Sequence, residues 1–320
     1  MFNNTSFYFR QSSFAHVCNW NDRKIRVIEN ESYLYNVLFS IPVIITVLSP
    51  VAVAGNALIL AVIWKNNFAR TPFHILLSAL ALTDFCTGLL SQPCYAAASF
   101  MCLANPRVPG DKAKLITILK TTGECGSIFF LALTVLLITL MSVERWLHMS
   151  TRRSLFTSCR GCSVMIVLSL IPVSTIVFRV LENESRKYKN YRRFAIIASS
   201  FTCYLTTSFA YFKVYRIIRC HQQRVQATSH NIGRQAIDLA KYKKSVASMV
   251  YIFLLFTVCF LPYIIFSGVY LSMQDRLEVY AALKASIALT LLSSSLNPAL
   301  YLWRMKDIYN GAKNIFCRGG

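Results

Sequence analysis

The sequence predicts an all-α membrane protein: a seven-transmembrane helix bundle followed by a short amphipathic eighth helix. Three observations carry this. The 320 residues are 55% hydrophobic and only 15% charged, against about 25% charged in soluble domains. The apolar residues gather into stretches of roughly the 20 residues that cross a bilayer. The basic residues behind the net charge of +21 sit in the gaps between those stretches. That placement suits lipid headgroups and argues against a nucleic-acid partner.

Residues 1–35 form a polar tail without an apolar core, so no cleavable leader is expected and the first span directs insertion. Sequons at Asn3, Asn4 and Asn30, and another at Asn183, fall on one side of a seven-span chain. They mark that side as glycosylated and extracellular. The spans read as 36–64, 72–98, 113–147, 162–181, 191–220, 243–271 and 279–302. Lysine and arginine divide almost evenly between the two sides and barely vote on orientation, while most acidic residues lie outside. An odd number of spans then puts the C-terminus in the cytoplasm of a multi-pass plasma-membrane protein. The longest inner connection, around Gln222–Lys241, is polar and basic. In 303–320, Met305, Ile308, Tyr309, Ile315 and Phe316 against Arg304, Lys306, Asp307 and Lys313 predict a helix lying on the inner surface. Cys317 after it is a palmitoylation site by position. The chain thus divides into the tail 1–35, the bundle 36–302 and the cytoplasmic segment 303–320.

The polar residues inside the spans are the informative ones, because each is costly in hydrocarbon. The seventh span ends in Asn297-Pro298-Ala299-Leu300-Tyr301. Its proline frees a carbonyl that neighbouring helices or water must satisfy, and Trp303 and Arg304 then mark the water interface. Asp84 lies mid-span and needs a cation, a proton or several donors. At the same depth, Asn297 is placed to face it across the bundle. The first span carries Gly55-Asn56, the third ends in Glu144-Arg145-Trp146, and the sixth holds Phe256 and Cys259-Phe260-Leu261-Pro262-Tyr263. Cys159 and Cys162 form a C-x-x-C pair with nothing nearby to complete a zinc site. Cys18 and Cys102 both fall in outer segments, where a bridge between them remains open.

In this order the residues resemble the rhodopsin-like (class A) G-protein-coupled receptors over nearly the whole chain. Asn297–Tyr301 matches N-P-x-x-Y, Glu144-Arg145-Trp146 the acid-Arg-aromatic foot of the third helix, and Asp84 the L-x-x-x-D of the second. Gly55-Asn56 matches G-N, and Cys259–Pro262 stands for C-W-x-P. The resemblance implies a receptor that binds an extracellular ligand and activates a heterotrimeric G protein, with arrestin as a further partner. It implies that Glu144 holds Arg145 at rest. Tyr211 and Tyr301 then turn inward around Arg145 in the active form. Asp84, Asn56, Thr134, Ser294 and Asn297 would line a polar chamber that takes sodium in many members, with Phe256 and Phe260 as a plug above it. Departures include Phe260 for the usual Trp, Lys120 for the usual cysteine and no cysteine in 182–193. Such features vary in the same way among adenosine, melanocortin and lipid receptors.

By the same alignment, Ser127 stands where amine receptors carry aspartate, and Leu291 where opsins carry the retinal lysine. The ligand is therefore non-aminergic and not retinal. The implied pocket is Ser127, Leu131, Ala195, Ser199, Phe260, Tyr263, Ile264, Ser267 and Ile287, suited to a small neutral or lipidic molecule. Arg179, Arg186, Lys187, Lys189, Arg192 and Arg193 make the outer loop basic: a solvated loop, or a surface for an acidic peptide or anionic lipid. Across from Arg145, Tyr242 replaces an acid, which predicts a loose resting lock and agonist-independent signalling. The alternatives are a transporter, which would bring internal repeats and more deep charge than Asp84 alone, and a non-signalling decoy or scaffold. No catalytic constellation accompanies the spans, so an enzyme is not expected.

Overall fold

The computed structural model describes Cys18, residues 32–65, 72–104, 111–151, 170, 173, 186–227, 232–273 and 276–317, with backbone alone over 186–193 and most of 221–249. Helix α1 is Ser32–Lys65. Helix α2 joins Pro72–Cys86 to Gln92–Ala104 through a π-helical turn, Thr87–Ser91. Then follow α3, Asp111–Thr151; α4, Arg186–Ala227; α5, Ile232–Ser272; α6, Leu277–Arg304; and α7, Lys306–Cys317. Helices α4, α5 and α6 are the fifth, sixth and seventh spans of the sequence. The fourth, 162–181, lies outside the described residues apart from Leu170 and Val173, as do the sequons at Asn3, Asn4, Asn30 and Asn183 and the Cys159–Cys162 pair.

Unlike a soluble bundle, these helices carry large apolar side chains on the outside as well as in the core, and admit polar side chains to the interior. Val43, Ile44, Val47 and Val51 of α1, Phe201, Leu205 and Phe209 of α4, and Leu254, Val258 and Leu261 of α5 are exposed. Asn56, Asp84, Ser91, Gln92, Ser142 and Asn297 are buried. Apolar side chains outward and polar ones inward is the arrangement that hydrocarbon solvent selects. Six helices of the described residues are long and apolar enough to cross a membrane. They pack as a ring in which α1 touches α2, α2 touches α3, and so on through α4 and α5 to α6, which closes back onto α1.

Several ends differ from the expected spans. The inner connection is mostly helical: α4 runs to Ala227 and α5 starts at Ile232, leaving four residues between them. The stretch Gln222–Lys241 contains no proline, and its Gln, Arg, Ala and Leu are good helix formers, so polarity there yields a solvated helix extension rather than a loop. At 41 residues, α3 reaches about 60 Å, twice the hydrocarbon thickness. The surface helix begins after Met305, whose extended backbone breaks the chain direction. It buries Ile308 and Ala312 against the bundle and leaves Tyr309 and Cys317 exposed.

Close helix approach is set by small residues, as in other membrane bundles. A Cβ on Gly55 would sit 2.8 Å from the Pro298 ring, and one on Gly123 would sit 2.7 Å from the Tyr95 backbone nitrogen. The π turn in α2 precedes Pro93, and the Gln92 N–H reaches back to the Thr87 carbonyl. The hydroxyl of Ser49 donates to the Gly88 carbonyl at 2.8 Å. One extra residue in a helix shifts the facing side by about 100°, and here it presents Ser91, Gln92 and Tyr95 to the interior. At one end of the bundle a Cys18–Cys102 disulfide ties the tail to the end of α2, resolving the pairing the sequence left open. At the other end the Arg304 guanidinium lies 4.4 Å from the Tyr251 ring centre and 5.2 Å from that of Trp303, fastening α5 to α6.

Overpacking a filled helix contact costs about 1–3 kcal/mol. Gly55→Ala and Gly123→Ala are each expected to lower the unfolding temperature of the detergent-solubilised protein. Gly268→Ala, where a Cβ meets nothing within 4 Å, should raise or preserve it. Equal responses at the three positions would refute this packing.

Candidate functional site

Proline 298 has no N–H, so the carbonyl of Ser294, four residues earlier, loses its helical donor. Asn56 replaces it: its Nδ2 donates to that carbonyl at 2.9 Å and to the Ala52 carbonyl of its own helix at 2.9 Å. Ser295 donates to the Leu48 carbonyl at 3.0 Å, and Gln92 to the Leu291 carbonyl at 3.1 Å. The bent end of α6 is thereby held to α1 and α2 by side chains that a lipid-facing position would not tolerate.

Asn297 serves the carboxylate. Its Nδ2 donates to Asp84 Oδ2 at 2.6 Å, a charge-assisted distance, and the Ser294 hydroxyl also interacts with the carboxylate. The other carboxylate oxygen, Oδ1, is buried without a hydrogen bond among the described residues. Thr134 is buried on the α3 side of the same region. Of the predicted chamber, Asp84, Asn297 and Ser294 thus converge directly, and Asn56 joins them through the Ser294 backbone rather than through the carboxylate.

Below the chamber, Tyr301 is fully buried in a cluster with Ile59, Ile63, Leu76 and Leu77, and its hydroxyl has no hydrogen-bond partner among the described residues. Tyr211 packs on Phe253 with ring centres 5.5 Å apart and interacts with Ser142 and Arg145. The Arg145 guanidinium lies 5.4 Å from the centre of the Phe73 ring. The expected hold of Glu144 on Arg145 is not seen: among the described residues no ion pair joins them, and the Glu144 side chain is buried. Consecutive helix positions point about 100° apart and do not face one another, so Arg145 turns to α2 instead.

Above the chamber, Phe256 and Phe260 stack with centres 4.9 Å apart, and Phe260 also meets Tyr263 at 5.7 Å. Thr290 of α6 donates to the Cys259 carbonyl at 3.2 Å, one residue from the carbonyl that Pro262 frees. A cavity of about 210 Å³ opens outward from there. Ser127, Leu131, Tyr263, Ser267 and Ile287 line it as expected from the resemblance, and Thr134, Ser293 and Ser294 form its floor. Phe260 and Ile264 pack into the helix core and are not in the lining. Ala195 and Ser199 are exposed, and Ile196 lines the cavity in their place. A one-residue error in helix rotation moves a side chain by about 100°, enough to exchange interior for lipid.

The expected pocket left out two ionisable residues of this cavity. Glu124 of α3 and Lys284 of α6 approach to 4.0 Å with side chains about one-fifth exposed. The ammonium also lies 5.0 Å from the Tyr95 ring centre and 5.6 Å from that of Tyr280. The available signal was that Glu124 falls inside the third span, a position that needs a partner.

Hydrogen bonds to a charged group contribute about 1.5–3 kcal/mol. A double-mutant cycle of Asp84→Ala and Asn297→Ala, read by unfolding in mixed micelles, is expected to give a coupling of that size. Additivity within about 0.5 kcal/mol would show that the pair does not act as a unit.

Comparison with known proteins places this geometry. The model of the 7 transmembrane receptor (rhodopsin family) matches residues 55–301. The chain is 22% identical over 296 residues to the human histamine H2 receptor, covering 87% of this chain and 79% of that one. It is equally 22% identical over 303 residues to the high-affinity lysophosphatidic acid receptor of Xenopus laevis, covering 82% and 78%. The structure of squid rhodopsin superposes with a TM-score of 0.70 at 15% identity, over 88% of this chain and 86% of the other. With a family match running from the Gly55-Asn56 pair to Tyr301, the chain belongs to the rhodopsin family of seven-transmembrane receptors, which are signalling proteins and not enzymes.

Proposed function

We propose that this receptor binds an extracellular ligand in the outer cavity and activates a heterotrimeric G protein by opening its cytoplasmic face, with arrestin as a further partner. The observation that carries the reading is a shared element. The cavity floor includes Thr134 and Ser294, Ser294 precedes the Asp84–Asn297 hydrogen bond by three residues, and Tyr301 lies one helical turn beyond Asn297. A ligand that repacks the floor biases the same helix end that positions Tyr301. The unpartnered Tyr301 hydroxyl supports a second packing, in which it turns toward Arg145 and Tyr211.

The relatives carry different ligand names, a histamine receptor and a lysophosphatidic acid receptor, so they do not decide the ligand. Ser127 in the lining supports a non-aminergic molecule, small and neutral or lipidic. In this reading the N-terminus is extracellular and glycosylated at Asn3, Asn4, Asn30 and Asn183, and exposed Cys317 is palmitoylated.

A sodium ion fits the chamber in chemistry: the bare Asp84 Oδ1 and the hydroxyls of Thr134 and Ser294 are hard oxygen donors. When bound, it supplies positive charge that stabilises the resting packing. At sodium tenfold above its dissociation constant the gain is about 1.4 kcal/mol. Replacing choline with sodium should therefore raise the unfolding temperature of the receptor but not of Asp84→Asn. An equal rise in both would refute sodium at Asp84.

The receptor reading itself is tested by nucleotide exchange on purified G proteins with the receptor in nanodiscs. Wild type is expected to exceed empty discs without added ligand, because Tyr242 leaves the lock loose, and to rise further with a ligand found by screening. Arg145→Ala should return exchange to the empty-disc rate while ligand affinity stays within a few-fold. Full exchange by Arg145→Ala would sink the assignment, and a wild-type basal rate equal to empty discs would sink the loose lock.

A further inference from the structure

The end of α6 carries a cation that neither the cavity nor the Asp84 chamber uses. Arg304 closes that helix, and its guanidinium lies between two rings. One is Tyr251 of α5, with its centre 4.4 Å away, and the other is Trp303 at 5.2 Å. The rings themselves meet edge to face at 5.5 Å. Among the described residues no carboxylate pairs with Arg304, and its Nε is buried without a hydrogen bond. Asp307, the next acid along the chain, acts electrostatically on His74 of α2.

Both rings belong to outward-facing stripes. On α5, Tyr251, Leu254, Val258 and Leu261 follow one another at helical spacing and are all exposed. On α6, Leu296, Ala299 and Trp303 do the same. The two helices pack side by side and Tyr251 meets Trp303, so the stripes run together and end at Arg304. From Tyr251 to Leu261 is ten residues of helix, about 15 Å, or half the depth of a hydrocarbon core. The surface has the dimensions and polarity of one lipid: an apolar face one leaflet deep, an aromatic collar and an unpaired guanidinium.

We propose that this is a binding site for an acidic phospholipid of the adjacent leaflet, with its phosphate on Arg304 and an acyl chain along the α5–α6 stripes. A guanidinium matches phosphate geometry with paired donors. The two rings hold its charge in place by cation–π attraction, and Trp and Tyr are the side chains that settle at headgroup depth. A zwitterionic headgroup would bring its own cation beside the arginine, so the site favours a lipid of net negative charge. The site stands apart from the ligand and G-protein readings, and neither is needed to test it.

Tryptophan quenching reads the site directly, because the chain has four tryptophans and Trp303 is part of the collar. The full chain is placed in nanodiscs of equimolar phosphatidylglycerol and phosphatidylcholine, with one or the other lipid brominated on its acyl chains. The signal lost on Trp303→Phe isolates that residue. Brominated phosphatidylglycerol should quench Trp303 as if bound about fivefold more tightly than brominated phosphatidylcholine, the preference that one basic contact confers. Arg304→Gln should abolish the preference, and Arg304→Lys should keep part of it. Trp64 is the control: it is exposed beside Lys65 and lies eight residues beyond Asn56, as Trp303 lies nine beyond the Ser294 that Asn56 holds. Read through Trp64→Phe, this lysine without a clasp should show a clearly smaller preference. Equal preference at Trp64 and Trp303 would make the attraction diffuse and overturn the site, as would a preference unchanged in Arg304→Gln. Equal quenching of Trp303 by both lipids, the result if Arg304 faces water or a protein partner, overturns it too. If Arg304→Gln fails to fold, the comparison of Trp64 with Trp303 decides alone.

Discussion

The capture of one backbone carbonyl underlies the rest of this structure. Pro298 leaves the Ser294 carbonyl without its helical donor, and in hydrocarbon such a group costs several kcal/mol unless it is paired. Asn56 pairs it at 2.9 Å. That requires α1 and α6 to approach closely, and Gly55 permits it by leaving room for the proline ring itself. The residue that breaks the helix and the two that repair the break are thus adjacent in space. With α6 seated on α1, Asn297 is directed at Asp84 of α2. Three helices are locked by two amides.

Such a joint is strong yet discrete. Each amide makes short directional bonds, so α6 cannot drift. The unsatisfied hydroxyl of Tyr301 and the bare oxygen of Asp84 are the costs of the present arrangement. Both lie beside the joint. The π turn in α2 serves the same region by turning Ser91 and Gln92 inward, where Gln92 reaches the Leu291 carbonyl on α6.

What was legible in the sequence follows from these costs. Asp84 and Asn297 announced themselves because a polar group deep in an apolar span demands a partner, and the two could face one another across the bundle. Helix identity was legible for the same reason, since long apolar stretches admit one regular structure in lipid. Rotation about a helix axis was not. Ala195 and Ile196 differ by one position, and only the packing of α4 on α3 and α5 decides which of them faces inward. The pairing of Arg145 with Glu144 failed on local geometry, because adjacent helix residues diverge. Glu124 was passed over because it sits near the outer end of a span, where a charge ordinarily reaches water. Its partner is 160 residues away in sequence, on α6.

That partner gives the outer half of the bundle its connection to the inner half. Lys284 and Tyr301 belong to one helix, 17 residues or about 25 Å apart. Between them α6 touches α5 through Thr290 and the Cys259 carbonyl. It touches α2 through Leu291 and Gln92, and α1 through Ser294 and Asn56. Along that length α2 and α1 each hold a carbonyl of α6, and α5 accepts from its Thr290 hydroxyl. Carbonyls move only with their helix. The ion pair at the top and the hydrogen bond at the middle are two restraints on one helix.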